Sequence, residues 1–313
     1  MSHFGKKVFN VDSDIPDLSG KVILVTGGNS GIGRPTCLCL AKHNPAKIII
    51  AARNPKTGET ILEEIQEAAP KVEVTFLECN LGSLASVRDA AKKILSSTQR
   101  LDILFCNAGI LDPPLGLSED GYEIHFGVNY LGHAFLIKLL LPLLLRTTEV
   151  QPDVRVILLG STGYRFHDPR GIVFKDLRTT QQNLTRFGMF GGMLRYFQSK
   201  LAIILYTVEL ARRYPMIKVV AVHPGIIDTP LTPHWMKANA LTRFITAGGE
   251  GGIKSPEEGS WNQLWAATGS GVISGEYYEP VGILGTRTKK SKDPELRNEL
   301  WEWTEEQLKI WAV

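Results

Sequence analysis

The chain has 313 residues, enough for one large α/β domain or two small ones. Hydrophobic residues make up 43% and charged residues 21%, an ordinary balance for a soluble globular protein. Its 35 basic and 32 acidic side chains leave a net charge of +3, which gives no nucleic-acid or membrane-surface footprint. Cys37, Cys39, Cys79 and Cys106 lie in apolar segments without metal-like clustering and read as reduced core thiols of a cytoplasmic protein. The N-terminal stretch has no apolar core of signal-peptide length. The longest apolar run, near Phe135–Leu145, is interrupted by Lys138 and Pro142, so no integral membrane segment is expected.

Taken in order, Lys21–Thr26 is a β-branched run that ends in glycines, hence a buried strand, and TGGNSGIG leads from it into a helix reaching about His43. Strands follow at Lys47–Ala52, Val72–Glu78 and Leu101–Asn107, with helices at Pro55–Ala69 and Ser83–Thr98 between them. Glu119–Arg146 reads as one long helix bent at Pro142. Val154–Ser161 and Lys218–Val222 are further strands on either side of a helix that carries Tyr196. A helix at Pro256–Ala267, a strand at Gly275–Pro280 and a helix at Pro294–Ile310 close the chain. Strand alternating with helix predicts a doubly wound, seven-stranded parallel sheet covered on both faces. No linker or repeat divides it, so a single domain is expected, with an N-terminal arm over 1–19, a core over 20–285 and a C-terminal helix over 290–313.

The chemistry begins with Tyr196 and Lys200, which share a face one helical turn apart. A phenol titrates near pH 10 (about 3 units above neutrality), so it needs help to act as an acid–base catalyst. A lysine one turn away would favour the phenolate. In TGGNSGIG, Gly27, Gly31 and Gly33 keep a strand-to-helix turn free of side chains, so that backbone N–H groups can approach a pyrophosphate.

The T-G-x-x-x-G-x-G turn, CNAG, VNYLGH, the Ser161 strand end with YFQSK, and HPGIIDTP follow one another in an order that resembles the one-domain branch of the short-chain dehydrogenase/reductase family. DGYEIHFGVNYLGH and SKLAIILYTVELARRYP are most similar to its retinol-dehydrogenase-like members. The resemblance covers about Gly20 to Pro280 and implies a catalytic set of Asn129, Ser161, Tyr196 and Lys200. In that set Tyr196 would exchange a proton with the substrate oxygen and Ser161 would orient that oxygen. Lys200 would lower the Tyr196 pKa, and Asn129 would support a proton relay.

The same resemblance implies cofactor contacts from Gly27, Asn29, Ser30, Gly31, Ile32 and Gly33, from Asn80 and Leu81 at the adenine, and from Asn107, Ala108 and Gly109. It adds Tyr196, Lys200, Pro224, Gly225, Ile227 and Thr229 around the nicotinamide. Arg53, just past the second strand, suits a 2′-phosphate, and no acid precedes Glu59, so NADP(H) is expected over NAD(H). A homodimer, if formed, would use the helices Glu119–Arg146 and Met193–Tyr214. The stretch Tyr164–Met193 reads in part as a substrate lid, with Gly188, Gly191 and Gly192 as hinges, or as a longer surface loop. Pro230–Glu250 would cover an apolar ligand with Trp235, Met236, Leu241 and Phe244.

Trp301, Trp303 and Trp311 would pack on the domain, close the pocket or anchor at a membrane. His125 and His133 receive no site, and no metal is expected. The reading is an NADP(H)-dependent oxidoreductase interconverting a ketone or aldehyde and an alcohol on a largely apolar small molecule. Use of the same scaffold for a non-redox biosynthetic step, or as a non-catalytic NADP sensor, stays open.

Overall fold

The computed structural model describes residues 9–184, 191–229 and 253–311. Its strands are β1 (Val22–Thr26), β2 (Lys47–Ala52), β3 (Glu73–Glu78), β4 (Ile103–Cys106), β5 (Val154–Leu159), β6 (Ile217–Val222), β7 (Tyr277–Glu279) and β8 (Ile283–Leu284). They form one sheet in the order β3-β2-β1-β4-β5-β6-β7-β8. All neighbours are parallel except β7 and β8, which pair antiparallel with Tyr278 opposite Leu284. The sheet therefore has one strand more than expected, and that strand is not parallel. Gly282, at φ +70°, reverses the chain after β7 and lays the two-residue β8 against it.

β1 is buried at all five positions, as a strand covered on both faces must be. Its alternate residues enter two cores. Val22 and Leu24 face helices α3 (Leu84–Ser97), α4 (Gly132–Val150) and α5 (Gly191–Arg213). Ile23 and Val25 face α1 (Gly33–Ala41), α2 (Pro55–Ala68) and α6 (Pro256–Thr268). β1 lies between β2 and β4, so the strand order reverses beside the glycine turn and opens a crevice at the carboxyl ends of β1 and β4.

The long helix begins later than the sequence reading placed it. Residues 119–123 form turns and a bridge between Leu117 and Glu123. Phe126–Leu131 then winds as a π-helix before α4 takes over. The departure from α geometry thus lies at Asn129 and its neighbours, upstream of Pro142, which sits inside α4. By length and composition Phe126–Val150 could cross a membrane, but 67% of its most apolar 18-residue window is buried in the domain, as in a core helix.

The C-terminal helix α7 (Pro294–Leu308) lies on α5 and α4. Trp301 stacks on Tyr206 at 5.5 Å, and Trp303 meets Tyr122 and Phe126 edge-on at 5.9 and 5.5 Å. All three C-terminal tryptophans pack against the α4/α5 core, the first of the three outcomes foreseen for them. The described part of the Tyr164–Met193 stretch is likewise packed down. Tyr164, Ile172, Val173 and Leu177 are buried, and the Val173 N–H donates to Gln198 Oε1 of α5 at 2.9 Å. The hinge glycine Gly188 and the covering stretch 230–250 lie outside the described residues.

Candidate active site

A cavity of about 850 Å³ opens at the carboxyl ends of the central strands. The glycine turn forms one wall. Gly27 and Gly31 adopt φ +65° and +52°, a conformation that favours glycine. A methyl at Gly31 would meet nothing nearer than Thr229 at 3.8 Å, so the turn faces open space. Gly33 acts differently and does not line the cavity. A methyl there would lie 2.2 Å from the Gly27 carbonyl oxygen and 2.6 Å from Asn107 Nδ2, so glycine lets α1 pack against the turn. No side chain caps α1; the N–H groups of Gly33 and Arg34 bond the Ser30 carbonyl at 3.1 and 3.2 Å.

Asn107 braces this wall by donating from Nδ2 to the Thr26 carbonyl at 2.8 Å. Asn29 Nδ2 donates to Thr57 Oγ1 at 2.6 Å, joining the turn to α2. Arg53, Asn54 and Thr57 line the cavity where β2 ends. The cavity also takes in Ser30, Ile32, Leu81, Ala108, Gly109, Pro224, Gly225, Ile227 and Thr229, as the motifs implied.

Asn80 is not among the lining residues. Its Oδ1 accepts the Gly82 N–H at 3.0 Å and its Nδ2 donates to Glu119 Oε1 at 2.9 Å, so its amide caps its own turn. Cys79 and Leu81 form the wall there instead.

Ser161, Tyr196 and Lys200 converge on the opposite wall. Ser161 lies two residues past β5 and accepts the Gly163 N–H at 3.1 Å. Tyr196 keeps part of its surface open to the cavity. Burial nonetheless pushes its phenol up to about 12, opposed by a hydrogen bond with Ser161. Lys200 Nζ donates to the Leu159 carbonyl at 2.8 Å and lies 5.5 Å from the centre of the Tyr196 ring. Burial pulls this lysine down to about 7. Among the chain's own groups, the Ser161 hydrogen bond works toward the phenolate.

Asn129 stands behind the cavity wall. Its Oδ1 accepts the Ile110 N–H at 2.8 Å, and its Nδ2 donates to the Ile110 carbonyl at 3.0 Å and to Ser199 Oγ at 3.1 Å. A methyl at Gly109 would lie 3.2 Å from Asn129 Oδ1 and 3.9 Å from Lys200 Nζ, so this glycine lets the chain pass between them.

Two site histidines escaped the sequence reading. His133 is buried, and burial lowers it to about 4, so it is neutral. Its Nδ1 lies 3.0 Å from the Asn129 carbonyl oxygen, which can only accept, so Nδ1 carries the proton. Nε2, 2.9 Å from Thr26 Oγ1, must then accept from that hydroxyl. Thr26 Oγ1 in turn accepts the N–H groups of Asn107 and Ala108 at 2.9 and 3.0 Å. One imidazole thus joins the glycine-turn strand, the end of β4 and the π-helix. His125 holds the next part of the wall. Their i,i+8 spacing carries no metal or triad signal, because both find their partners only in the folded chain.

A Rossmann-type sheet with a glycine turn facing a serine, a tyrosine and a lysine across one cavity defines a dinucleotide-dependent oxidoreductase. Residues 21–168 match the family model for short chain dehydrogenases. A short-chain dehydrogenase/reductase of Aspergillus calidoustus, drtF, is 36% identical over 94% of this chain and 96% of its own. Retinol dehydrogenase 13 of Homo sapiens is 33% identical over 91% of this chain and 83% of its own. Among solved structures, an uncharacterized protein from Mycobacterium paratuberculosis superposes with a TM-score of 0.73 at 27% identity, covering 97% of this chain and 98% of that one. The chain belongs to the short-chain dehydrogenase/reductase family and has retinol-dehydrogenase-like relatives.

Proposed function

We propose that the chain is an NADP(H)-dependent oxidoreductase that interconverts a ketone or aldehyde and an alcohol on a largely apolar small molecule. The observation that carries this reading is the convergence of Ser161, Tyr196 and Lys200 on the cavity that the glycine turn also lines. The turn, which carries no side chain at Gly27 and Gly31, fits a pyrophosphate. Arg53 offers a cation to a 2′-phosphate, and the adjoining residues Ala51, Ala52, Asn54 and Thr57 bring no carboxylate. NADP(H), when bound, supplies or receives the hydride. Phe166, Met193, Leu194 and Phe197 line the side near Tyr196 and favour an apolar ligand.

Tyr196, held protonated at neutral pH, is ready to give its proton to the alkoxide that develops in carbonyl reduction. Ser161 hydrogen-bonds the same oxygen and steadies the phenolate left behind. Lys200, at about 7, readily exchanges a proton near neutrality and is suited to reload the site. Alcohol oxidation, which needs the phenolate, would rise toward alkaline pH.

Tyr196→Phe tests the assignment. It should lower carbonyl reduction by about 100-fold or more, the size of a lost general acid, while NADPH still binds. Residual turnover within a few-fold of the parent would refute the role.

A further inference from the structure

Two side chains one helical turn apart, His125 and Asn129, grip consecutive backbone groups of the cavity wall. Asn129 takes the N–H and the carbonyl of Ile110, and His125 Nε2 lies 2.9 Å from the carbonyl oxygen of Leu111. Ile110 and Leu111 both line the cavity. The other nitrogen of His125, Nδ1, lies 3.0 Å from Glu123 Oε1. The Leu111 carbonyl only accepts, so Nε2 carries the N–H that bonds it.

Glu123 Oε2 also accepts the Phe126 N–H at 2.8 Å. Arg195 Nε, from the residue preceding Tyr196, approaches Glu123 Oε1 at 3.8 Å. Glu123, His125 and Arg195 are all buried, at 0%, 1% and 3% exposure. The His125 ring meets the Tyr196 ring edge-on, with centres 6.1 Å apart and planes at 70°. A buried polar cluster thus ties the start of the α4 segment, the Leu111 wall and the catalytic helix together.

We propose that His125 is a positioning residue, a clasp that extends the grip of Asn129 by one turn and holds the Leu111 wall against the helix carrying Tyr196. It acts through two things, the carbonyl of Leu111 and the edge of the Tyr196 ring. Without it, the wall that confines a substrate beside Tyr196 would lose its fastening beyond Ile110. The proposal rests on the oxidoreductase reading only for what the cavity holds.

The test is hydrogen exchange on the full chain, parent against His125→Leu and His125→Gln, alongside kinetics with NADPH and a carbonyl that the parent reduces. In His125→Leu, amides over 109–118 should exchange about tenfold faster or more, as expected for loss of a buried hydrogen bond. Peptides from β1 and α6 should be unchanged. The substrate KM should rise more than kcat falls, with NADPH affinity retained. His125→Gln keeps an N–H for Leu111 and should recover part of the loss.

Parent-like exchange over 109–118 in His125→Leu would overturn the proposal. So would a uniform rise across the chain, which marks a purely structural role. If His125→Leu does not fold, His125→Gln carries the same comparison, with a smaller local rise expected and parent-like exchange again contradicting it. A parent that reduces no carbonyl would fail the oxidoreductase reading, while the exchange comparison would still decide the clasp.

Discussion

At the scale of single residues, the site is built from groups whose burial sets their charge. His133 illustrates this. Its folded-state value of about 4 lies below the ordinary 6.5, so the unfolded chain binds a proton that the folded chain refuses. Stability from this residue is therefore present above pH 6.5 and lost as pH falls toward 4, by on the order of 3 kcal/mol for the full shift. His223, lowered to about 3 by burial and by Arg165, Lys200 and Lys254, acts in the same direction. Urea midpoints followed from pH 7 to about pH 4.5 should fall, and His133→Gln should reduce the slope by about one proton. An unchanged slope would mean that His133 is charged in the folded state. The glycine turn, Ser161, Tyr196 and Lys200 were legible in the sequence because each sits in a local motif whose neighbours fix its conformation. His133 and Asn80 were not. Thr26 and Glu119, their partners, are brought to them by the tertiary fold.

At the scale of elements, the π-helix matters more than the boundaries that sequence periodicity places. Periodicity reports which face of a helix is apolar, and Phe126–Leu131 is buried at every position, so it leaves no pattern to mark the wider turn. Directly after it, Gly132 begins α4 with its Cα against the loop that follows β3. A methyl there would lie 2.4 Å from the Leu81 carbonyl oxygen. Gly132→Ala should therefore push α4 away from Leu81, destabilise the protein by about 1–3 kcal/mol and weaken NADPH binding. Gly271→Ala, where the added methyl would meet nothing within 4 Å, is the matched control. Denaturant midpoints and NADPH titrations of the two variants check this. Equal behaviour would contradict the close approach.

At the scale of the whole molecule, α7 covers the α4/α5 helix pair through which the family resemblance would place a dimer. Arg297 of α7 bonds the buried Glu209 of α5 at 3.0 Å, Thr304 bonds Tyr130 at 2.6 Å, and Glu305 pairs with Lys138 of α4 at 2.7 Å. With that face occupied, the chain should sediment as a 34.6 kDa monomer, and Trp301→Ala, which removes the Tyr206 stack, should promote association. A dimer indifferent to Trp301→Ala would show that a different face associates. The parallel sheet covered on both faces was readable from strands alternating with helices, whereas β8 was not, since two residues after a glycine leave no periodic trace.

The central claim is that this cavity brings a nicotinamide hydride and the Tyr196 proton to one carbonyl. The most direct measurement supplies NADPH or NADH deuterated on the transferring face of nicotinamide C4, with a panel of apolar ketones and aldehydes, and follows the label by mass spectrometry. Deuterium should appear on the carbinol carbon of at least one product, faster from NADPH than from NADH. Stoichiometric binding of NADPH with no label transferred to any member of the panel would contradict the account.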